Sequence, residues 1–323
     1  MKYLEGISSP ELLQAAYEKA CEVLEGHRID IEEFKTSSAH TVEIEDALST
    51  CDRLEEKWEE ENTPEMKESK KWATVLEAMV VDLTTSGSWL GEDSIAMATT
   101  RPDDYFNGVD VIVESSLGEF FKAHLGLAID ATFANCFLEK LTKTRKEIDG
   151  ESNENKPGEG QLATINYFKS EAMGIRGRKD DIPRVVVALE QSTIVQLAEI
   201  WLEEGRNDST KESLDNHAIQ LQIIEEFILQ LACQKKRAEV KGQNKIAKKL
   251  NESLQKALCI YKERTKIVSH SEKETDSMFE VLLNSCQKIF LDDLGEQVDA
   301  ASLFREAFAS KEKKKGKRKI IRC

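Results

Sequence analysis

Two apolar runs each carry acid where a buried strand would normally exclude it. Gly108-Val-Asp-Val-Ile-Val-Glu114 and Leu125-Gly-Leu-Ala-Ile-Asp-Ala-Thr-Phe133 are built mainly from Val, Ile, Leu and Ala. Side chains alternate across a strand, so Val109, Val111 and Val113 share one face, and Asp110, Ile112 and Glu114 share the other. By the same rule Asp130 and Thr132 lie together. A carboxylate in such a strand is costly to desolvate and is normally paired, hydrogen-bonded or bound to a cation. Any fold this chain adopts must place these acids where that cost is met.

The surrounding pattern predicts three successive strands, over residues 94–100, 108–114 and 125–133, with Asn107-Gly108 as a hairpin turn between the first two. Two further strands are predicted over 162–168 and 184–190, separated from the first three by a helix over 134–148 and a polar loop over 150–160. Helices flank this region on both sides. Ser9-Pro10 and Thr63-Pro64 are helix starts, each with a capping hydroxyl before a proline in the first turn. The segment after Ser192 repeats apolar residues at helical spacing over 194–204, 214–240, 245–268 and 275–291, as antiparallel helices of a bundle do. The fold class expected is α/β (α+β), a mixed sheet flanked by helices. Its parts are an acidic helical region 1–62, a core 63–205, a helical bundle 206–309 and a basic tail 310–323.

Charge is unevenly spread. The net charge is −15, yet residues 310–323 hold eight Lys or Arg against one Glu, which leaves about −22 on the rest. Such a tail attracts phosphates, through Lys313, Lys314, Lys315, Lys317, Arg318 and Lys319. It would equally lie against the acidic body as a solubilising segment. The basic turn Gly174-Ile-Arg-Gly-Arg-Lys179 offers Arg176, Arg178 and Lys179 as a second phosphate contact. Seven scattered cysteines without a Cys-x-x-Cys pair read as reduced thiols, and no basic-then-apolar leader opens the chain, so a cytoplasmic location is expected. No run of about eighteen uncharged apolar residues is present, so no membrane partner is expected. Nucleotide-binding glycine loops and the His-Glu-x-x-His metal motif are missing too.

A helix bearing Glu77, a hairpin ending in Gly-Val-Asp110, a strand with Asp130-x-Thr132 and a following helix together resemble the core of the PD-(D/E)XK, or restriction-endonuclease-like, phosphodiesterases. The likeness spans roughly residues 65–205. It implies a site in which Glu77, Asp110 and Asp130 hold Mg²⁺ or Mn²⁺, helped by the carbonyl of Ala131, and it implies a nucleic-acid substrate, DNA or RNA. The family's Pro-Asp dipeptide also occurs literally, as Pro102-Asp103, but Asp110 is preferred because it is expected within the second strand. Asp103 and Asp104 are assigned to local turn chemistry. Where the family has a lysine this chain has Thr132, whose hydroxyl holds a water but brings no positive charge. Lys140 or Lys143 on the next helix, or Lys122 before the strand, would have to supply it. Glu114 is a substitute ligand or a rim residue, and His124 stands near the Asp130 strand. Two readings follow: a metal-dependent phosphodiesterase with Glu77, Asp110, Asp130, Thr132 and Lys140 as catalytic residues, or a non-catalytic scaffold binding nucleic acid or, through its helices, proteins.

Overall fold

The computed structural model describes residues 10–92, 94–116, 122–130, 134–152, 156–170, 174–203, 208–268, 276–295 and 298–309. Side chains are described over the same stretches except 116–136 and 208–211.

Helix α1 (Pro10–His27) turns its Leu13, Ala16, Ala20 and Leu24 stripe inward and leads through a short 3₁₀ turn (Ile31–Phe34) to α2 (Ser38–Glu61). The Ser37 hydroxyl accepts from the amide of His40 and caps α2, which buries only Ile44 and Cys51. Helix α3 (Pro64–Thr85) starts where the Thr-Pro pair predicts, with the Thr63 hydroxyl accepting from Met66 N. It buries Trp72, Val75, Leu76, Met79, Val80 and Leu83 against the sheet.

Four strands form that sheet in the order β1 (Ser94–Ala98), β2 (Val111–Ser116), β3 (Lys122–Asp130) and β6 (Arg184–Ala188). The first two pairings are antiparallel and β3 runs parallel to β6, with α4 (Ala134–Asp149) in the crossover. The mixed sheet flanked by helices is therefore as expected, in the order α3, β1, β2, β3, α4, β6. Alternation also holds within β2. Val111 and Val113 join the main apolar core, Ile112 joins a second, smaller cluster, and buried Glu114 receives the hydroxyl of Ser170.

Three local expectations are corrected. Asn107-Gly108 is not a hairpin turn. The β1 to β2 connection is a twelve-residue loop containing a wide helical turn, Asp103–Asn107, which Gly108 ends at φ 65°. A Cβ at Gly108 would lie 3.1 Å from Lys143 Nζ, so glycine is favoured by backbone and space alike. Second, the 162–168 run becomes β4 (Ala163–Ser170), but it pairs with β5 (Ile175–Ile182) in a separate two-stranded sheet rather than joining the four. The basic turn over 174–179 is thus largely strand, because pairing with β4 outweighs its glycines. Third, the helix predicted over 214–240 is two, α6 (Asp208–Asp215) and α7 (Ile219–Val240).

Helix α5 (Gln191–Glu203), α8 (Asn244–Arg264), α9 (Met278–Cys286) and α10 (Ala300–Ala309) complete the chain, and one apolar cluster runs from α1 and α3 through the sheet into α7, α8, α9 and α10. Helix α7 is buried nearly throughout, yet carries Gln222, Glu226, Gln230, Gln234 and Arg237 inside. Four of these run at four-residue spacing, and three of the four meet the outer edge of β6. Gln230 accepts from Val186 N at 2.8 Å and donates to Val186 O at 2.7 Å. Glu226 accepts from Ala188 N at 3.2 Å, and Gln234 donates to Arg184 O at 2.9 Å. Four helical residues rise about 6 Å and two strand residues about 6.6 Å, so one helix face can follow alternate residues of a strand. The helix acts as the missing fifth strand. At the opposite edge Thr85 exchanges hydrogen bonds with Ala96, and Ile29 N donates to Ala98 O at 3.0 Å.

Replacing Gln230 by Met keeps the volume but strands the N–H and C=O of Val186. Urea unfolding should show a loss of roughly 2–5 kcal/mol, against near-neutrality for Glu239→Ala on the exposed end of α7.

Candidate active site

The end of the sheet where β2 begins and β3 and β6 finish gathers charge from five elements. Glu77 comes from the middle of α3, Asp104 from the wide turn, Asp110 from the residue before β2, Lys140 from α4 and Arg28 from the residue after α1. Asp110 is not inside the second strand as expected but immediately before it, so its carboxylate escapes the strand's apolar faces. It is 8 % exposed and receives Lys140 Nζ at 3.2 Å. The lysine keeps 30 % of its side chain open to solvent.

Two of the acids are strongly perturbed. Burial, with the neighbouring charge of Asp110, pushes the Glu77 carboxyl from 4.5 up to about 8, against the opposing charges of Arg28 and Lys140. The Asp104 carboxyl is also held well above the ordinary range, first by burial, then by the Asp110 charge and a hydrogen bond to Asp110.

The loop bearing these acids is held from below. Arg184 at the start of β6 is 2 % exposed and donates to Asn107 O at 2.7 Å, to the Thr144 hydroxyl and to Glu147 Oε2 at 2.8 Å. Lys143, its amine lowered mainly by burial, donates to Asn107 O at 3.2 Å and lies within electrostatic reach of Asp110 and Lys140. Asp103 is fully buried and accepts from Asn166 N, Tyr167 N, Asn107 Nδ2 and the Thr100 hydroxyl, at 2.7, 3.0, 2.7 and 3.1 Å. The aspartate of the Pro-Asp dipeptide is therefore a structural staple between the turn and β4.

Of the residues expected at the site, Glu77, Asp110 and Lys140 converge. Asp130 is the last residue of β3, paired along the backbone with Ala188, at the same end of the sheet. Its side chain, and Thr132 and Ala131 entirely, lie outside what is described, as do the side chains of Lys122 and His124. Glu114 lies at the far end of β2 beside Ser170 and Lys256, about 13 Å along the strand, and does not join the group. Arg176 and Arg178 are on β5, each on a carboxylate, Arg176 with Glu33 and Arg178 with Asp180, and Lys179 pairs along the backbone with Ile165. The tail lysines 313, 314, 315, 317 and 319 and Arg318 lie outside the described residues.

Asp104 and Arg28 were missed from sequence. Asp104 had a signal in the Asp-Asp pair just before a strand, read there as turn chemistry. Arg28 had none, since 71 residues separate it from the Thr99 carbonyl it binds.

Among the described residues no three Asp, Glu, His or Cys side chains stand close enough to hold a metal ion as they are. Asp104 and Asp110, hydrogen-bonded to each other with Glu77 in electrostatic reach of Asp110, are the described carboxyls that could supply oxygen ligands to a hard divalent cation. No protein-family model, curated protein or solved structure matches the chain. No helix among the described residues is long and apolar enough to cross a membrane.

The Glu77 shift sets a pH dependence. The folded state holds a proton there that the unfolded state releases near 4.5, so stability falls as pH rises from about 4.5 to 8. Thermal melts of Glu77→Gln should lack most of that decline, and the variant should exceed the wild type by a few kcal/mol or less at pH 8.

Proposed function

We propose that the chain is a metal-dependent phosphodiesterase of the restriction-endonuclease-like class, acting on nucleic acid. The observation that carries this reading is the meeting of Glu77, Asp104, Asp110 and Lys140 at one end of a mixed sheet. Its support from the frame is the order α3, β1, β2, β3, α4, β6 with a parallel last pairing. Asp104 and Asp110, with Glu77, would hold Mg²⁺ or Mn²⁺, and Asp130 would add to them from the end of β3. A cation bound there polarises a phosphoryl oxygen and lowers the pKa of its water.

The chain's own residues do the rest. Lys140 brings a cation to the acids from α4, the role that Thr132 cannot fill, while its partly open side chain leaves it access to a substrate. Asp104 is hydrogen-bonded to Asp110 and its carboxyl is held well above the ordinary range, first by burial and then by the Asp110 charge, so cation binding by the pair would strengthen as pH rises. Arg184 and Asp103 keep the loop from relaxing away from the sheet. The acidic body repels a polyanion, so long-range attraction of the nucleic-acid backbone falls to the tail.

One observation favours a second reading, a scaffold that has kept the frame without the reaction: the described residues do not already form a three-ligand group. Divalent-ion titration separates the two. For the phosphodiesterase, Mg²⁺ raises the melting temperature and supports cleavage of single- or double-stranded DNA or RNA. Asp110→Ala with Asp130→Ala removes both effects, and Lys140→Ala lowers turnover about 100-fold or more. Cleavage that survives in the Asp110/Asp130 double variant would sink the reading. Removing residues 311–323 should weaken nucleic-acid binding and flatten its salt dependence under either reading, and unchanged binding would exclude the tail.

A further inference from the structure

We propose that Arg28 is the phosphate-binding arm of this site, donating to a non-bridging oxygen of the phosphoryl group as charge builds on it. The inference rests on the phosphodiesterase reading and adds to it a second cation, supplied from outside the sheet-and-helix core.

Arg28 directly follows α1, in a stretch that runs alongside β1: its backbone bridges in parallel to Ala98, and Ile29 N donates to Ala98 O at 3.0 Å. This fixes the Cα at the site end of β1. The guanidinium is fixed in turn by Nη1, which donates to Thr99 O at 2.8 Å. Thr99 N donates to Asp110 O at 2.9 Å, and its hydroxyl donates to Val109 O. The arginine is therefore one residue removed from the backbone of the central aspartate. Its charge reaches Glu77, where it acts in the same direction as Lys140 and against Asp110. Arg28 and Lys140 thus approach the acids from α1 and α4, two separate elements.

The chemistry suits a phosphate better than a further carboxylate. A guanidinium has five N–H donors, and the carbonyl of Thr99 takes one of them, so the planar fork can still engage two oxygens of one group. Arg28 is only partly buried, which leaves a ligand able to reach it. Unlike Arg184 and Arg237, which are tied to Glu147 and to Asp149 and Asp293, Arg28 makes no ion pair within 4 Å among the described residues.

The test compares the wild type with Arg28→Gln and Arg28→Lys, each checked for folding by circular dichroism. In a Mg²⁺-dependent cleavage assay Arg28→Gln should lower kcat about 100-fold with KM changed less than about 3-fold, and Arg28→Lys should recover part of it, since charge without the fork is retained. A folded Arg28→Gln that turns over at the wild-type rate overturns the proposal. If the wild type cleaves nothing, the phosphodiesterase reading fails by itself and Arg28 is judged by binding. Inorganic phosphate with Mg²⁺ should then raise the melting temperature of the wild type and not of Arg28→Gln. No shift in the wild type, or equal shifts in both, overturns it. Should Arg28→Gln not fold, the same comparison is read on Arg28→Lys, expected to lose about 10-fold in kcat and to show a smaller phosphate shift. Wild-type values on both measures overturn the proposal.

Discussion

The structure depends on how the outer edge of β6 is closed. An edge strand in a buried parallel pairing presents N–H and C=O groups that water cannot reach, and each left unpaired is costly. Helix α7 supplies the partners, with Gln230 exchanging two hydrogen bonds with Val186 while Glu226 and Gln234 serve Ala188 and Arg184. Glu226 can sit there because burial pushes its carboxyl well above the usual range, which favours the neutral form. This contact makes sheet and helical bundle one packed body. It also fixes β6, and with it Arg184, whose guanidinium holds the loop that presents Asp104 and Asp110.

Two other buried charges are each met by several partners. Arg237 is wholly buried between Asp149 and Asp293, and Asp103 receives four donors. At the sheet end, acids face acids. Burial and the Asp110 charge raise the Glu77 and Asp104 carboxyls, and the opposing cations, Lys140 and Arg28, still leave Glu77 shifted to about 8. A folded protein that holds like charges together spends stability there, and such arrangements are found where a ligand completes them.

Much of the frame was legible because it depends on local rules. Pro10 and Pro64 open helices, the period-two alternation of Val111 to Glu114 separates two faces, and the Val-rich run at 184–188 is a buried strand. The misreadings share a cause. Asn107-Gly108 has the composition of a tight turn, but Arg184 and Lys143, distant in sequence, bind its carbonyls and hold a longer loop. Residues 174–179 look like a turn, but partners on β4 make them a strand. Asp103 and Asp104 are neighbours with the same local signal, and only their surroundings separate a staple from a site residue.

The sequence by itself marked Asp110 through the cost of burying charge in an apolar run, and the resemblance to the PD-(D/E)XK core added Glu77 and Lys140 as candidates; all three meet at this end of the sheet. Tertiary structure alone decided their company and their state. Whether a carboxyl is protonated depends on distances to charges contributed by other elements, and the chain order that places Arg28, Asp104 and Lys140 far apart in sequence carries no record of those distances.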